Sequence, residues 1–417
     1  MKFRIEHDAL ADVVAWVARA LPSRPVVPVL AGLRLEAGEG LTLSCFDYDL
    51  AATARVAADV AEPGTALVPG RLLAEIIRSL PGQPAEFTAD GDVVSLTCGS
   101  AEFALVSLPL ADYPELPPTP PVAGTIDGGE LAAAVAQVLP AASRDDTLPM
   151  LTAVCLDIRG ESLTLAATDR YRLAVRELQW EPAHPGMRAI ALVPARTLAD
   201  AARTMAPGEP VPVAFTPGDE PAGERDPHPV EGMISFECRG RRLTGRLIGG
   251  EFIRYQSRFP DGYGCRAEIP AAPFIEAVRR VSLVADRASP VRLTFGQDQV
   301  VAEAQTEGRA RAAEAVAASF EGDETAIAFN PHYLLDGLTA AAAGSGPARP
   351  PADQEDGAPA PAAATIRLEF TSPAKPALIT LAGDGGEGPG VEAGEAGAAA
   401  GPPFRYLVVP LRSPTRA

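Results

Sequence analysis

The densest chemistry in the sequence lies near its middle, where Thr168, Asp169, Arg170, Tyr171 and Arg172 stand side by side. Two guanidinium groups, a phenol, a carboxyl and a hydroxyl are packed into one short run. On its N-terminal side Leu163, Leu165 and Ala167 alternate with Thr164 and Ala166, and beyond it Leu173 and Val175 resume the pattern. This alternation reads as strand, tight turn, strand. Threonine and aspartate can fix such a turn through side-chain hydrogen bonds to nearby backbone, without glycine. Arg170, Tyr171 and Arg172 are then presented in a set geometry, which suits recognition of a partner.

Nothing in the sequence resembles an active site. The four histidines (His7, His184, His228, His332) are scattered, and no glycine-rich phosphate loop, metal-ligand spacing or Gly-x-Ser-x-Gly is present. No catalytic residue, cofactor or metal is therefore expected. The five cysteines (Cys45, Cys98, Cys155, Cys238, Cys265) lie far apart and mostly in apolar runs, as small buried hydrophobes do in a reducing compartment. No stretch approaches the ~20 apolar residues of a membrane span. A cytoplasmic protein with no membrane partner is expected. The net charge of -18 excludes a simple basic DNA-binding module. It leaves room for a protein that surrounds DNA loosely and keeps its acidic residues elsewhere.

The elements that position the turn recur three times along the 417 residues. Leu10, Val14, Val17 and Leu21 share their spacing with Leu131, Val135, Val138 and Ala142, and with Phe274, Val278, Val281 and Ala285. Each set lies on one face of a helix. A strand, a proline and a second helix also recur: Pro69 with Leu73, Ile76 and Leu80; Pro194 with Leu198, Ala201 and Met205; Pro331 with Leu335, Leu338 and Ala342. Proline suits a helix start because its missing N–H would be unpaired there. Alternating runs between the helices supply about eight short strands per third, an α+β plan with two helices packed on antiparallel sheet. The units span 1–121, 122–262 and 263–417. Tyr113 to Pro121 forms a stiff joint, and Phe259 to Tyr263 closes the second unit. Pro217 to Pro229, Gly344 to Ala363 and Gly383 to Pro403 read as loop insertions, rich in Pro, Gly, Ala and acidic residues. Sheets that run from unit to unit leave edges at the two ends of the chain that need partners.

The run Ala-Thr-Asp-Arg-Tyr-Arg-Leu-Ala resembles the signature of the bacterial DNA polymerase III beta subunit family, the replicative sliding clamps. Arg24-Pro25-Val26-Val27-Pro28-Val29-Leu30 and the terminal Tyr406 to Arg412 are similar to further family motifs, and the order of elements matches from end to end. The resemblance implies three tandem clamp domains per chain and a ring-shaped head-to-tail homodimer around duplex DNA, bound without sequence preference. It also implies a pocket for short linear peptides of the polymerase III alpha subunit, the clamp loader and repair proteins. By position, that pocket comprises Leu151, Thr168, Arg170, Tyr171, Arg172, Leu173, Ile253, Leu407, Val409, Pro410, Leu411 and Arg412. The DNA-facing set is Arg24, Arg71, Arg78, Arg144, Arg196, Arg203, Arg279 and Arg280, and the dimer contact is Phe103, Leu105, Leu283 and Val284. Ile253 and Val409 replace the family's usual proline and methionine. Two other readings follow, a second clamp with altered partner or inhibitor specificity and a clamp-like scaffold that does not encircle DNA.

Overall fold

The structure, a computed structural model, describes residues 1–216, 231–260, 262–286, 289–306, 308–343, 364–383 and 404–411. The expected insertions Pro217 to Pro229 and Gly344 to Ala363, and all of Gly383 to Pro403 but its first residue, lie outside the described residues.

The first unit runs β1 (Lys2–Ile5), α1 (His7–Val17), β2 (Gly32–Ala37), β3 (Leu41–Phe46), β4 (Leu50–Val56), β5 (Asp59–Glu62), β6 (Gly64–Pro69), α2 (Gly70–Ser79), β7 (Ala85–Asp90), β8 (Val93–Cys98) and β9 (Ala101–Val106). The second repeats this order: β10 (Val122–Asp127), α3 (Gly128–Val138), β11 (Ala153–Arg159), β12 (Ser162–Thr168), β13 (Arg172–Gln179), β14 (Glu181–Pro182), β15 (Arg188–Pro194), α4 (Ala195–Ala202), β16 (Pro210–Phe215), β17 (Met233–Cys238) and β18 (Arg241–Arg246). The third does so again: β19 (Cys265–Pro270), α5 (Ala271–Ser282), β20 (Val291–Phe295), β21 (Gln299–Thr306), β22 (Ala310–Ala317), β23 (Ser319–Glu321), β24 (Thr325–Phe329), α6 (Pro331–Ala343), β25 (Thr365–Phe370), β26 (Ala377–Leu381) and β27 (Phe404–Val408). Among the described residues each unit thus has nine strands, one more than the alternation suggested, because the two- to four-residue strands β5, β14 and β23 are too short to show a period.

The helical faces are buried as their spacing requires. Leu10, Val14, Val17 and Leu21 are at most 2% exposed, and Leu131, Val135, Val138, Phe274, Val278 and Val281 match them. Each such side chain contributes roughly 1.5–3 kcal/mol on leaving water. The second helix of the third unit departs from expectation by one residue. Leu334, Leu338 and Ala341 are buried there, while Leu335 and Ala342 are only partly so. Asn330, not a proline, caps this helix, accepting from the backbone N–H of His332 at 2.9 Å and of Tyr333 at 3.3 Å. Pro331 therefore sits one position later than Pro69 and Pro194, and the apolar face shifts with it.

Two nine-stranded antiparallel sheets join the units. In one, β18 pairs with β4 of the first unit; in the other, β27 pairs with β13 of the second. The two joints share one register: Leu243 lies opposite Ala52, and Tyr406 opposite Ala174. The remaining sheets, β5-β1-β7-β8-β9 and β22-β21-β20-β24, end on the open edges β9 and β22. These are the counterparts of β18 and β4, left unpaired among the described residues.

Candidate partner groove and charged faces

The turn between β12 and β13 is built by Thr168 and Asp169, as the sequence indicated. The Asp169 carboxylate accepts from the backbone N–H of Tyr171 and Arg172 at 3.0 and 3.1 Å, and the Thr168 hydroxyl donates to the Arg172 carbonyl at 2.6 Å. Arg170 takes a positive φ of 80°, a conformation costly for a residue with a Cβ. The hydrogen bonds hold it there, and its side chain is exposed.

Arg172 does not project freely. Its Nε donates to Asp169 at 3.0 Å, its Nη1 to Asp336 of α6, and its guanidinium carbon lies 4.4 Å from the centroid of the Tyr333 ring. Burial works against the guanidinium charge, but Tyr406, Asp336 and Asp169 more than offset it, so the pKa rises. Burial also pushes the Tyr406 phenol up, and its hydroxyl donates to the Tyr333 carbonyl at 2.9 Å. Tyr171 stacks on Tyr333 with ring centroids 6.0 Å apart. Arg172 and Tyr171 are thus a lock between the second and third units.

On the other side of the turn lies a groove of about 470 Å³. Leu151, Thr168, Arg170, Arg172, Leu173, Ile253, Leu407 and Val409 come together around it, from four separate stretches of the chain. Ser257, Arg258 and Pro376 complete the wall. Leu173 and Leu407 oppose each other across the β13–β27 pair. The segment carrying Ile253, Ser257 and Arg258 is pinned to the sheet by Tyr255, whose hydroxyl donates to the buried Asp157 at 2.9 Å, and by Gln256 at 3.1 Å. Val409 is held by its backbone N–H on the Tyr171 carbonyl at 2.8 Å and leaves its side chain 39% exposed.

The remaining pocket residues named from sequence fare differently. Tyr171 turns to Tyr333, Pro410 is buried outside the groove wall, and Leu411 is tied through its N–H to the Ala328 carbonyl. Arg412 lies outside the described residues. Pro376, in the tight loop before β26, was missed because a proline beside a turn carries no signal beyond the turn itself. Ser257 and Arg258 follow Ile253 closely, but their approach to the groove depends on the Tyr255–Asp157 contact.

The arginines assigned to DNA are all exposed, yet half of them have acidic neighbours. Arg196 and Arg203 flank Asp200 at 4.0 and 3.5 Å, Arg279 pairs with Glu276, and Arg280 meets Glu314 of β22 at 2.6 Å. Arg71 donates to the carbonyls of Leu21 and Pro22 at 3.3 and 3.2 Å, while Arg24, Arg78 and Arg144 extend into solvent. At the open edges Leu283 is 82% exposed, and Phe103 and Val284 are partly buried. Leu105 is 3% exposed and belongs to the core cluster. No helix among the described residues is long and apolar enough to cross a membrane.

Comparison with known proteins agrees with these features along most of the chain. Residues 1–117, 125–253 and 256–344 match the N-terminal, central and C-terminal domains of the DNA polymerase III beta subunit. The beta sliding clamp of Streptomyces coelicolor is 46% identical over 413 residues, covering 99% of both chains. The beta sliding clamp homolog GriR of Streptomyces muensis is 42% identical over 340 residues, 81% of this chain and 88% of that protein. The crystal structure of the DNA polymerase sliding clamp from Bacillus subtilis superposes with a TM-score of 0.81 at 24% identity, covering 99% of each chain.

Proposed function

The chain belongs to the family of the DNA polymerase III beta subunit, and from that premise we propose how its own residues act. It is a sliding clamp, a processivity factor of three tandem clamp domains that forms a ring-shaped head-to-tail homodimer around duplex DNA. The groove lined by Leu151, Leu173, Ile253, Leu407 and Val409 receives short linear peptides of the polymerase alpha subunit, the clamp loader and repair proteins. The observation that carries this is the meeting of those apolar residues around one cleft of about 470 Å³ that Arg170, Arg172 and Arg258 also line. Each leucine-sized anchor supplies roughly 1.5–3 kcal/mol before ordering costs, so such peptides bind at about micromolar strength and can exchange. We assign no catalytic residue to the chain, and we assign it to the cytoplasm.

The ring closes by extending the internal joints to a second copy. β9 and β22 stand where β18 and β4, or β27 and β13, are paired. The register shared by those two joints sets Ala101 opposite Glu314, Phe103 opposite Ala312 and Leu105 opposite Ala310 of the partner chain. Leu283 and Val284, at the end of α5 beside β22, lie along the same joint. The exposed arginines of α2, α4 and α5, with Arg24 and Arg144, face the DNA. Because many have acidic neighbours, the contacts are weak and limited to phosphates.

Loading the protein onto nicked circular and linear duplex tests the ring. Retention on the circle through moderate salt, with loss from the linear form, is expected; equal retention on both would remove encirclement and favour a binding scaffold. Fluorescence polarisation with a labelled clamp-binding peptide tests the groove. The 42% identity to GriR and the replacement residues Ile253 and Val409 favour a second reading, a clamp with altered inhibitor specificity. A peptide that binds normally beside a clamp inhibitor that does not would select it.

A further inference from the structure

The open edges β9 and β22 differ from the internal joints in the charge they carry on the face of the sheet turned away from the core. Leu105 and Val316 are buried in the core cluster, and Phe103 and Ala312 pack against it. Strand alternation therefore puts Glu102 and Ala104 of β9, and Arg311 and Ala313 of β22, on the other face. All four are exposed. In the register set by the internal joints, Arg311 stands where Ala51 and Leu173 do, and Ala104 where Thr244 and Leu407 do. Those internal pairs, Ala51 with Thr244 and Leu173 with Leu407, are uncharged. Of the three joints, the open one alone has a cation at this place.

Each edge also brings a carboxylate. Glu86, Thr97 and Glu102 form one row across β7, β8 and β9. Arg4 meets Glu86 at 3.6 Å, and Glu102 stands at the open end of the row. On the other edge Glu303 of β21 lies opposite Ala313, with Arg292 of β20 on its far side. Arg311, one row away, donates to Glu303 through Nη2 at 2.9 Å and keeps its side chain 68% exposed. Closing the ring in this register sets the partner subunit's Glu102 opposite Ala313, two strand spacings or about 10 Å from Glu303. Arg311 is then diagonal to the partner subunit's Glu102, a separation that long side chains span. A guanidinium has five N–H donors, enough to serve both carboxylates.

Resting on the ring reading above, we propose that Arg311 binds the partner subunit's Glu102 while holding its own Glu303, and that this seam decides which chains close a ring with this one. Without the cation, two carboxylates face each other across Ala313. With it, the edge accepts a chain that carries an acid at this position of its first unit and rejects one that carries a base. The apolar contacts around Phe103 and Leu283 supply adhesion to any edge of matching shape; the charges supply discrimination. The partner that fits is a second copy of this chain, which satisfies the seam at both joints of a two-fold ring.

Subunit exchange in the full chain tests the seam. Wild type and variants carry different fluorophores, mixed dimers are followed by energy transfer, and each protein is sedimented alone. Glu102→Arg or Arg311→Glu should weaken the dimer by about tenfold or more, because each change is felt at both joints. Combining Glu102→Arg, Glu303→Gln and Arg311→Glu in one chain rebuilds the seam with reversed polarity and should return the affinity to within about threefold of wild type. Mixed with wild type, that triple variant should form far fewer mixed dimers than random pairing gives. Single variants as tight as wild type, a triple variant as weak as the singles, or random mixing would each overturn the seam and leave the ring standing. A wild-type chain that sediments as a monomer at micromolar concentration would remove the ring reading and the seam with it.

Discussion

The guanidinium of Arg172 lies over the ring of Tyr333 at 4.4 Å, and through it the second unit is fastened to the third. Arg172 also lines the partner groove, so one side chain is shared between joint and site. Replacing it by alanine leaves Asp169 and Asp336 without their cation. A loss of about 2–3 kcal/mol in unfolding free energy is expected, together with weaker peptide binding. Arg172→Lys should recover little, because an ammonium cannot bond both carboxylates and stack. Chemical denaturation beside fluorescence polarisation would measure both effects.

Tyr113 is buried in a small apolar cluster of the first unit with Val29, Leu30 and Leu67. Its hydroxyl accepts from the buried N–H of Phe46 at 2.7 Å, and burial raises its pKa. Tyr113→Phe leaves that donor unsatisfied at nearly unchanged volume. A cost of roughly 1–3 kcal/mol is expected from denaturant midpoints, with peptide affinity unchanged.

Val409→Asp places a charge in the apolar part of the groove at a half-open position. Peptide affinity should fall by about tenfold or more while the dimer elutes unchanged on a sizing column. Undiminished affinity would move the peptide site elsewhere.

The register of the ring joint can be read by crosslinking. With Ala104→Cys and Arg311→Cys in one chain, directly opposed strand positions lie within disulfide range of the partner copy. Oxidation should give a covalent dimer. Ala104→Cys with Ala312→Cys, on opposite faces of the pair, should not. The reverse pattern would mean a register slipped by one residue.

Asp127 caps α3 by accepting from the N–H of Glu130 at 2.9 Å and of Gly208 at 2.7 Å. The Glu130 N–H above all holds its carboxyl below the usual carboxylate range; burial opposes it, and the N–H groups of Gly208 and Gly129 add to the lowering. A lowered folded pKa contributes stability that is present above the unfolded value and is lost as pH falls through the folded one. Asp127→Asn keeps an acceptor and should be flat through that acid window, while Asp127→Ala should lose about 1 kcal/mol at neutral pH. Thermal melts across the acid range would distinguish the three proteins.

The triplication, the helical faces and the signature turn were legible in the sequence because each depends on neighbours within a few residues. Leu10 with Val14 and Val17 declares a helix face whatever lies beyond it, and Asp169 caps its own turn. The third-unit helix was misplaced by one residue because Asn330 and Pro331 can each start a helix, and only the packed face chooses. Pro410 and Leu411 were assigned to the groove by their positions in the family resemblance; in the structure Pro410 is buried and the Leu411 N–H is tied to the Ala328 carbonyl, and neither is among the residues around the groove.

The sequence by itself therefore determined the repeated unit, its strands and helices, and most of one groove wall. Only the tertiary structure decided that Arg172 is a lock, that Pro376, Ser257 and Arg258 border the groove, and that β9 and β22 are left open. Those outcomes depend on pairings between residues far apart in the chain, such as Leu173 with Leu407 and Leu50 with Gly245. Periodicity records which face of an element is apolar; it contains no information on which other element covers that face, and the joints between units are made of those choices.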